Sequence, residues 1–185
     1  FVGKKAKNVT PEDNPEEVGD AWTFVGIDRK TKLVPAFRVG KRDAENANIF
    51  MQDLASRLKN RIQLSTDALA QYVQAVELGF GPDVDFGVIV KSYAAEGGKY
   101  HPERKYSPPA CTGVRRSRIC GAPDPDRICT SHIEAHNRTI RHHVKRLARL
   151  SPAFSKKLSN LKAAMGLNFA YYNLVKFHSS LKMTP

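Results

Sequence analysis

Between Trp22 and Val90, aromatic and β-branched runs alternate with segments whose apolar residues recur at helical spacing, and neither an all-helical nor an all-strand fold accommodates that. Trp22-Thr23-Phe24-Val25-Gly26-Ile27 and Leu33-Val34-Pro35-Ala36-Phe37-Arg38-Val39 are aromatic and β-branched runs. Joined by the turn Asp28-Arg29-Lys30-Thr31-Lys32, they predict an antiparallel hairpin, with Pro35 marking an edge or a bulge. Phe1-Val2 reads as the tail of an earlier strand, which would make the hairpin part of a three-stranded meander. Ala47, Phe50, Met51, Leu54 and Leu58 then define the apolar face of a helix that begins at Asp43 or Ala44 and ends near Lys59-Asn60. Ile62 to Asp67 is a short strand ending on an acid. A helix carrying Leu69, Tyr72, Val73 and Val76 follows, then a strand from Val84 to Val90. This order predicts one mixed α/β domain over residues 1–185. Residues 91–128 are rich in Gly, Pro, Arg and Tyr and poor in periodicity. They are expected to form a long irregular insertion with some short strand, a length of loop that is usually functional or disordered. Two helices close the chain, one beginning near Ser131 and one spanning roughly Lys156 to Phe177.

The first of these closing helices carries the chemistry. Ile133, Ile140, Val144 and Leu147 form one apolar stripe, and Glu134, Arg138, Arg141 and Lys145 form a neighbouring polar one. Ser131 and Glu134 have capping-box spacing, so a capping glutamate on an ordinary basic helix explains the same residues. The functional reading is an acid that holds a metal ion, with cations beyond it that hold phosphates. His132 and His136 lie four apart, a spacing that suits a metal, but Ile133 stands where a metalloprotease would need Glu.

Asp67 is the other acid singled out. Side chains at strand ends in open α/β sheets face the ligand cleft, although Asp at that position also caps a following helix. Paired with Glu134, it would make a hard-oxygen site for divalent cations. A two-ion site wants a third carboxylate, and Asp20 and Asp28 are the candidates within the chain, Asp28 reading first as a turn acid. There is no Gly-rich phosphate loop, which argues against a nucleotide-driven motor.

A net charge of +12 over 185 residues favours a polyanionic partner, nucleic acid before membrane. Ribosomal and chromatin proteins share that property. No long apolar run or signal-peptide pattern is present, so a soluble intracellular protein with no membrane partner is expected. The first residue is Phe, so the chain is read as a fragment or a processed product. Cys111, Cys120 and Cys129 are odd in number and lack a close pair, which argues against both a disulfide framework and a zinc knuckle.

In sequence order, Gly19-Asp20-Ala21-Trp22-Thr23-Phe24 with Ile27-Asp28, Val39-Gly40-Lys41-Arg42, Leu64-Ser65-Thr66-Asp67 with Tyr72, Tyr106-Ser107-Pro108-Pro109, Thr130-Ser131-His132-Ile133-Glu134 with Asn137 and Arg141, and Tyr171-Tyr172-Asn173 with His178, Leu181 and Thr184-Pro185 resemble the catalytic domain of insertion-sequence DDE transposases, closest to the insertion-sequence-one class. The resemblance covers nearly the whole chain. It implies an RNase H-like fold: a mixed sheet flanked by helices. It also implies two Mg²⁺ or Mn²⁺ ions, DNA cleavage, and transfer of 3′-hydroxyl ends into target DNA by a homo-oligomer assembled on DNA. Asp67 then matches the second acid of the triad and Glu134 the third. The first acid and an N-terminal DNA-binding region belong ahead of Phe1, so this fragment is expected to bind metal poorly and to be impaired in activity. Arg138, Arg141, Lys145, Arg146 and Arg149 are expected to contact the DNA backbone, with Lys156 and Lys157 as weaker contacts. A solvated basic face is the competing account. Arg115, Arg116 and Arg118 are expected to touch DNA or a second protomer. Tyr106, Tyr171 and Tyr172 have rings suited to stacking on bases, although helical spacing favours core packing for Tyr171 and Tyr172. An RNase H-like nuclease that does not join ends, and a non-catalytic DNA-binding remnant, are the alternative functions.

Overall fold

A computed structural model describes residues 1–94, 110–148 and 152–185 of the chain. It is a mixed α/β arrangement of a two-stranded sheet, a three-stranded sheet and four α-helices. Strand β1 (Trp22–Val25) pairs antiparallel with β2 (Phe37–Gly40), Trp22 opposite Gly40 and Val25 opposite Phe37. Helix α1 (Ala44–Ser56) follows, then β3 (Ile62–Thr66), α2 (Gln71–Phe80) and β4 (Val84–Tyr93). β3 and β4 run parallel, as a strand–helix–strand crossover requires. β5 (Cys111–Cys120) adds antiparallel to the far side of β4. The closing helices are α3 (Ser131–His143) and α4 (Leu158–Leu174).

The hairpin strands are shorter than the apolar runs. Pro35 has no N–H to give a ladder, and regular pairing in β2 begins only at Phe37. The connecting turn is held by Asp28, whose carboxylate accepts from Thr31 N (2.9 Å) and Thr31 Oγ1 (2.6 Å). Asp28 is therefore the turn acid its neighbours implied. Val2 makes only isolated bridges, to Lys4 and Gly19, so the described residues contain no meander.

α1 starts where Asp43 accepts a hydrogen bond from Asn46 N (2.8 Å), and it buries Ala47, Phe50, Met51 and Leu54. α2 lies close against it. A Cβ on Gly79 would stand 3.0 Å from the carbonyl carbon and oxygen of Met51, an approach only glycine allows without movement. Both helices cover one face of the sheets, in a core built from Phe24, Phe50, Met51, Leu54, Val76, Val84, Phe86 and Val88. Phe24 from the hairpin packs on Phe50 of α1 and Tyr72 of α2, which joins the hairpin to both helices. The second core lies across the hairpin. Val34 and Val39 meet Ile140 and Val144 from the α3 side, and Leu161, Met165, Phe169 and Tyr172 from α4.

The described residues of the 91–128 span are more regular than its composition implied. β4 runs on to Tyr93, and β5 fills ten residues of that span. β3 pairs only with Val84 to Val88, so beyond Val88 the β4–β5 pair projects as a ribbon. Its residues are largely exposed on both faces, which removes the hydrophobic alternation that marks a strand in sequence.

Asn173 ties α4 to the hairpin. Its Nδ2 donates to Val34 O (2.9 Å) and its Oδ1 accepts from Val34 N (3.1 Å), satisfying the backbone at the point where Pro35 interrupts the ladder. Asn173→Ala leaves both Val34 groups unpaired and should lower the stability of the fold by about 1–3 kcal/mol. An unchanged urea midpoint for this variant would contradict that role.

Candidate metal and nucleic-acid cleft

β4 has two faces. Val84, Phe86 and Val88 enter the core under α1 and α2. Gly87 and its odd-numbered neighbours face the other way, toward the segment that leads into α3. A Cβ on Gly87 would come within 2.6 Å of Ile128 Cγ1, and Ile128 is fully buried. On the same face of β3, Gln63 exchanges hydrogen bonds with the backbone of Asp124 (2.9 and 3.1 Å). Arg116 on β5 donates from Nε to Ile128 O (3.0 Å). These contacts fix the segment that ends at Thr130, and so fix where α3 begins.

Asp67 follows β3 on that face. Its Oδ1 accepts from Leu69 N (3.2 Å), closing a short turn ahead of α2 rather than capping the helix, whose N-cap is Ala70. Glu134 stands in the first turn of α3. The two acids line one cleft of about 420 Å³, together with Arg42, Lys91, Tyr93 and Thr130. Glu134 also heads a second groove, of about 500 Å³, that runs along α3 past Asn137, Arg138 and Arg141.

The capping box is absent. The N-cap position is Thr130, and Ser131 is already helical, its hydroxyl engaged with Cys129 Sγ (2.9 Å). That leaves the Glu134 carboxylate for other partners. Thr130 Oγ1 donates to Glu134 Oε1 (2.7 Å), and Lys91 Nζ makes a close ion pair with the same oxygen. Partial burial pushes the Glu134 pKa up, but the Lys91 and Thr130 contacts outweigh it and hold the carboxyl below its ordinary value. Glu134 in turn holds the Lys91 ammonium above its ordinary value.

The other predicted residues separate. Arg138 and Arg141 are exposed and line the groove. Lys145 and Arg146 fall after the end of α3, in a 3-10 turn from Lys145 to Leu147, so the cation ladder does not continue up the helix. Arg146 Nη1 donates to the buried Ser155 Oγ (3.2 Å). Lys156 and Lys157 are exposed just before α4. Arg149 and Tyr106 lie outside the described residues. Asp20 and Asp28 do not line the cleft. Tyr172 is buried and Tyr171 is half exposed, so the core-packing expectation holds for one of the pair.

His136 does not join His132 as a metal pair. It is buried against Tyr172, ring centroids 4.4 Å apart, and Phe169, 6.0 Å. Burial, with Lys176 nearby, pushes its pKa down to about 4. Among the described residues no three His, Cys, Asp or Glu side chains gather into a metal-holding group.

Sequence reasoning missed Lys91, Thr130 and Arg42 as cleft residues. A signal for Lys91 was present. It stands at the end of the parallel neighbour of the Asp67 strand, and ends of adjacent parallel strands share a cleft. Comparison with protein-family models, curated proteins and solved structures finds no match.

The seat of Ile128 against Gly87 can be tested directly. Gly87→Ala overfills it and should cost about 1–3 kcal/mol in urea unfolding. Ile128→Val, made in the same chain, should recover part of that loss, because the two changes share one contact. Strict additivity of the two would show that this packing does not set the position of α3.

Proposed function

We propose that the chain is an RNase H-like catalytic domain of a DDE-type DNA transposase, cleaving DNA and transferring 3′-hydroxyl ends to target DNA with Mg²⁺ or Mn²⁺. One observation carries the reading: Asp67 and Glu134, on different elements, line the same cleft, and Glu134 also opens the groove that holds Arg138 and Arg141. The motif resemblance supplies the reaction class.

The donor set fits a divalent ion. Both acids offer hard oxygens, and Lys91 already places a positive charge on Glu134 Oε1, so that point of the cleft favours a cation. Asp67 and Glu134 would hold the metal, with water and phosphate oxygens completing its shell. When bound, two such ions supply an activated nucleophile and stabilise the leaving oxygen of an in-line displacement. Thr130 fixes the Glu134 rotamer through its hydroxyl. Arg138 and Arg141 grip backbone phosphates, steering the strand across Glu134. On the resemblance, Asp67 and Glu134 stand for the second and third acids of the triad.

The test uses the protein expressed from its complete open reading frame. Asp67→Ala and Glu134→Ala should each reduce strand transfer by at least a thousandfold, with DNA affinity nearly kept. Full activity in either variant overturns the assignment. Metal-dependent cleavage without joined product when a 3′-hydroxyl donor end is supplied would make the protein a nuclease instead.

Lys91 and a metal ion compete for one carboxylate oxygen. Lys91→Met removes the competitor, and Mn²⁺ binding followed by calorimetry should tighten. Weaker binding in Lys91→Met would mean that the lysine does not stand where the ion goes.

A further inference from the structure

The second basic side chain of the cleft is held in a different way from Lys91. Arg42 lines the cleft beside Asp67, and its guanidinium carbon lies over the Trp22 ring, 4.5 Å from the centroid. A cation–π contact takes up none of the guanidinium's N–H hydrogen-bond capacity toward an oxygen acceptor. Lys91 is engaged by Glu134, whereas Arg42 has no carboxylate partner among the described residues.

Both members of the stack are positioned by secondary structure. Trp22 begins β1, opposite Gly40. Gly40 is backed by Asn46 from the first turn of α1, whose amide fills the space a Cβ would need. Arg42 immediately precedes Asp43, the cap of α1. Burial and the charge of Asp67 push the Tyr72 hydroxyl pKa up, and Arg42 pulls it down in part. Trp22 remains about half exposed, and among the described residues the cation over its ring is this arginine.

We propose that Arg42, steadied by Trp22, is a DNA-positioning residue that grips a backbone phosphate at the Asp67 end of the cleft. This rests on the reading of the cleft as a polynucleotide site. A planar guanidinium presents two parallel N–H donors to two phosphate oxygens, which an ammonium cannot reproduce. With Arg138 and Arg141 beyond Glu134, the strand is then held on both sides of the two acids.

Trp22 is the single tryptophan of the chain, so its fluorescence reports the stack. A short single-stranded oligothymidylate is titrated into the full chain in EDTA, where no cleavage intervenes. Trp22 emission should change saturably. Arg42→Ala should weaken binding about tenfold and reduce the salt slope by about one. Arg42→Lys should restore the slope but not the affinity, a split that a merely structural role would not produce. Arg42 is exposed, so both variants should keep the urea midpoint of the parent. Unchanged affinity and salt slope in Arg42→Ala, or no response of Trp22 at saturating oligonucleotide, overturns the proposal and leaves the strand-transfer reading standing. Failure of that reading shows separately, as activity retained in Asp67→Ala or Glu134→Ala. Absence of oligonucleotide binding by the unsubstituted chain overturns both.

Discussion

The contact between Ile128 and Gly87 governs the geometry of the cleft. A side chain at position 87 would lift the 121–130 segment off β4, and α3 would begin somewhere else. Because β4 alternates, one strand serves two purposes. Its even residues complete the core under α1 and α2, while its odd residues receive Ile128 and then, past the end of β3, expose Lys91. The partner of that lysine, Glu134, arrives on a helix whose first turn Ile128 has already placed. A hydrophobic seat thus determines an electrostatic pair, since burial of the isoleucine is worth about 1.5–3 kcal/mol while a partly exposed ion pair is worth about 1 kcal/mol or less.

Charge around the cleft is arranged unequally. Two carboxylates face it, and the cations near them differ in what they are free to do. Lys91 is neutralised by Glu134, and Arg146 is turned to Ser155. Arg42, Arg138 and Arg141 remain on the cleft and groove walls. The chain as a whole carries +12, so its long-range field attracts polyanions whichever arginine makes the contact. Specific positioning has to come from the few cations that structure fixes near the acids, because exposed charges beyond about 8–10 Å are screened at physiological salt.

The order of elements and both acids were legible in the sequence, because each depends on local signals. Short aromatic and β-branched runs pointed to the hairpin, β3 and the core part of β4; helical periods pointed to α1, α2, α3 and α4. Asp67 stood at a strand end and Glu134 near a helix start, positions that short-range patterns define. What escaped detection depends on long-range pairing. β5 lacks alternation because the ribbon it forms has little to bury. Ser131 looked like the cap, yet Cys129 engages its hydroxyl and Thr130 takes the N-cap position. Lys145 and Arg146 fit a helical ladder on paper. Val144 ends the helix, with its backbone extended and its side chain in the second core, and the two cations leave the row. His136 shared a spacing with His132 but is claimed by the aromatic core of α4. Arg42 stood next to a recognisable helix cap, and only the approach of β1 to α1 showed which ring it meets.

The shortened α3 has a consequence for how a strand would lie on the proposed site. At about 1.5 Å rise per residue, Arg138 sits about 6 Å and Arg141 about 10 Å along the helix from Glu134. One strand of duplex DNA advances about 3.4 Å per phosphate, so this axial span corresponds to about three nucleotide steps. A continued ladder through Lys145 would have reached about 16 Å, committing the strand to follow the helix for another step or two. Ending at His143 instead, α3 would offer such a strand only a short grip beside the acids, and the chain passes into the turn that Arg146 ties to Ser155. On the proposed reading, a strand held by two arginines on one side of Glu134 and by Arg42 on the other would be fixed at both flanks, with the bond between them left to face the carboxylates.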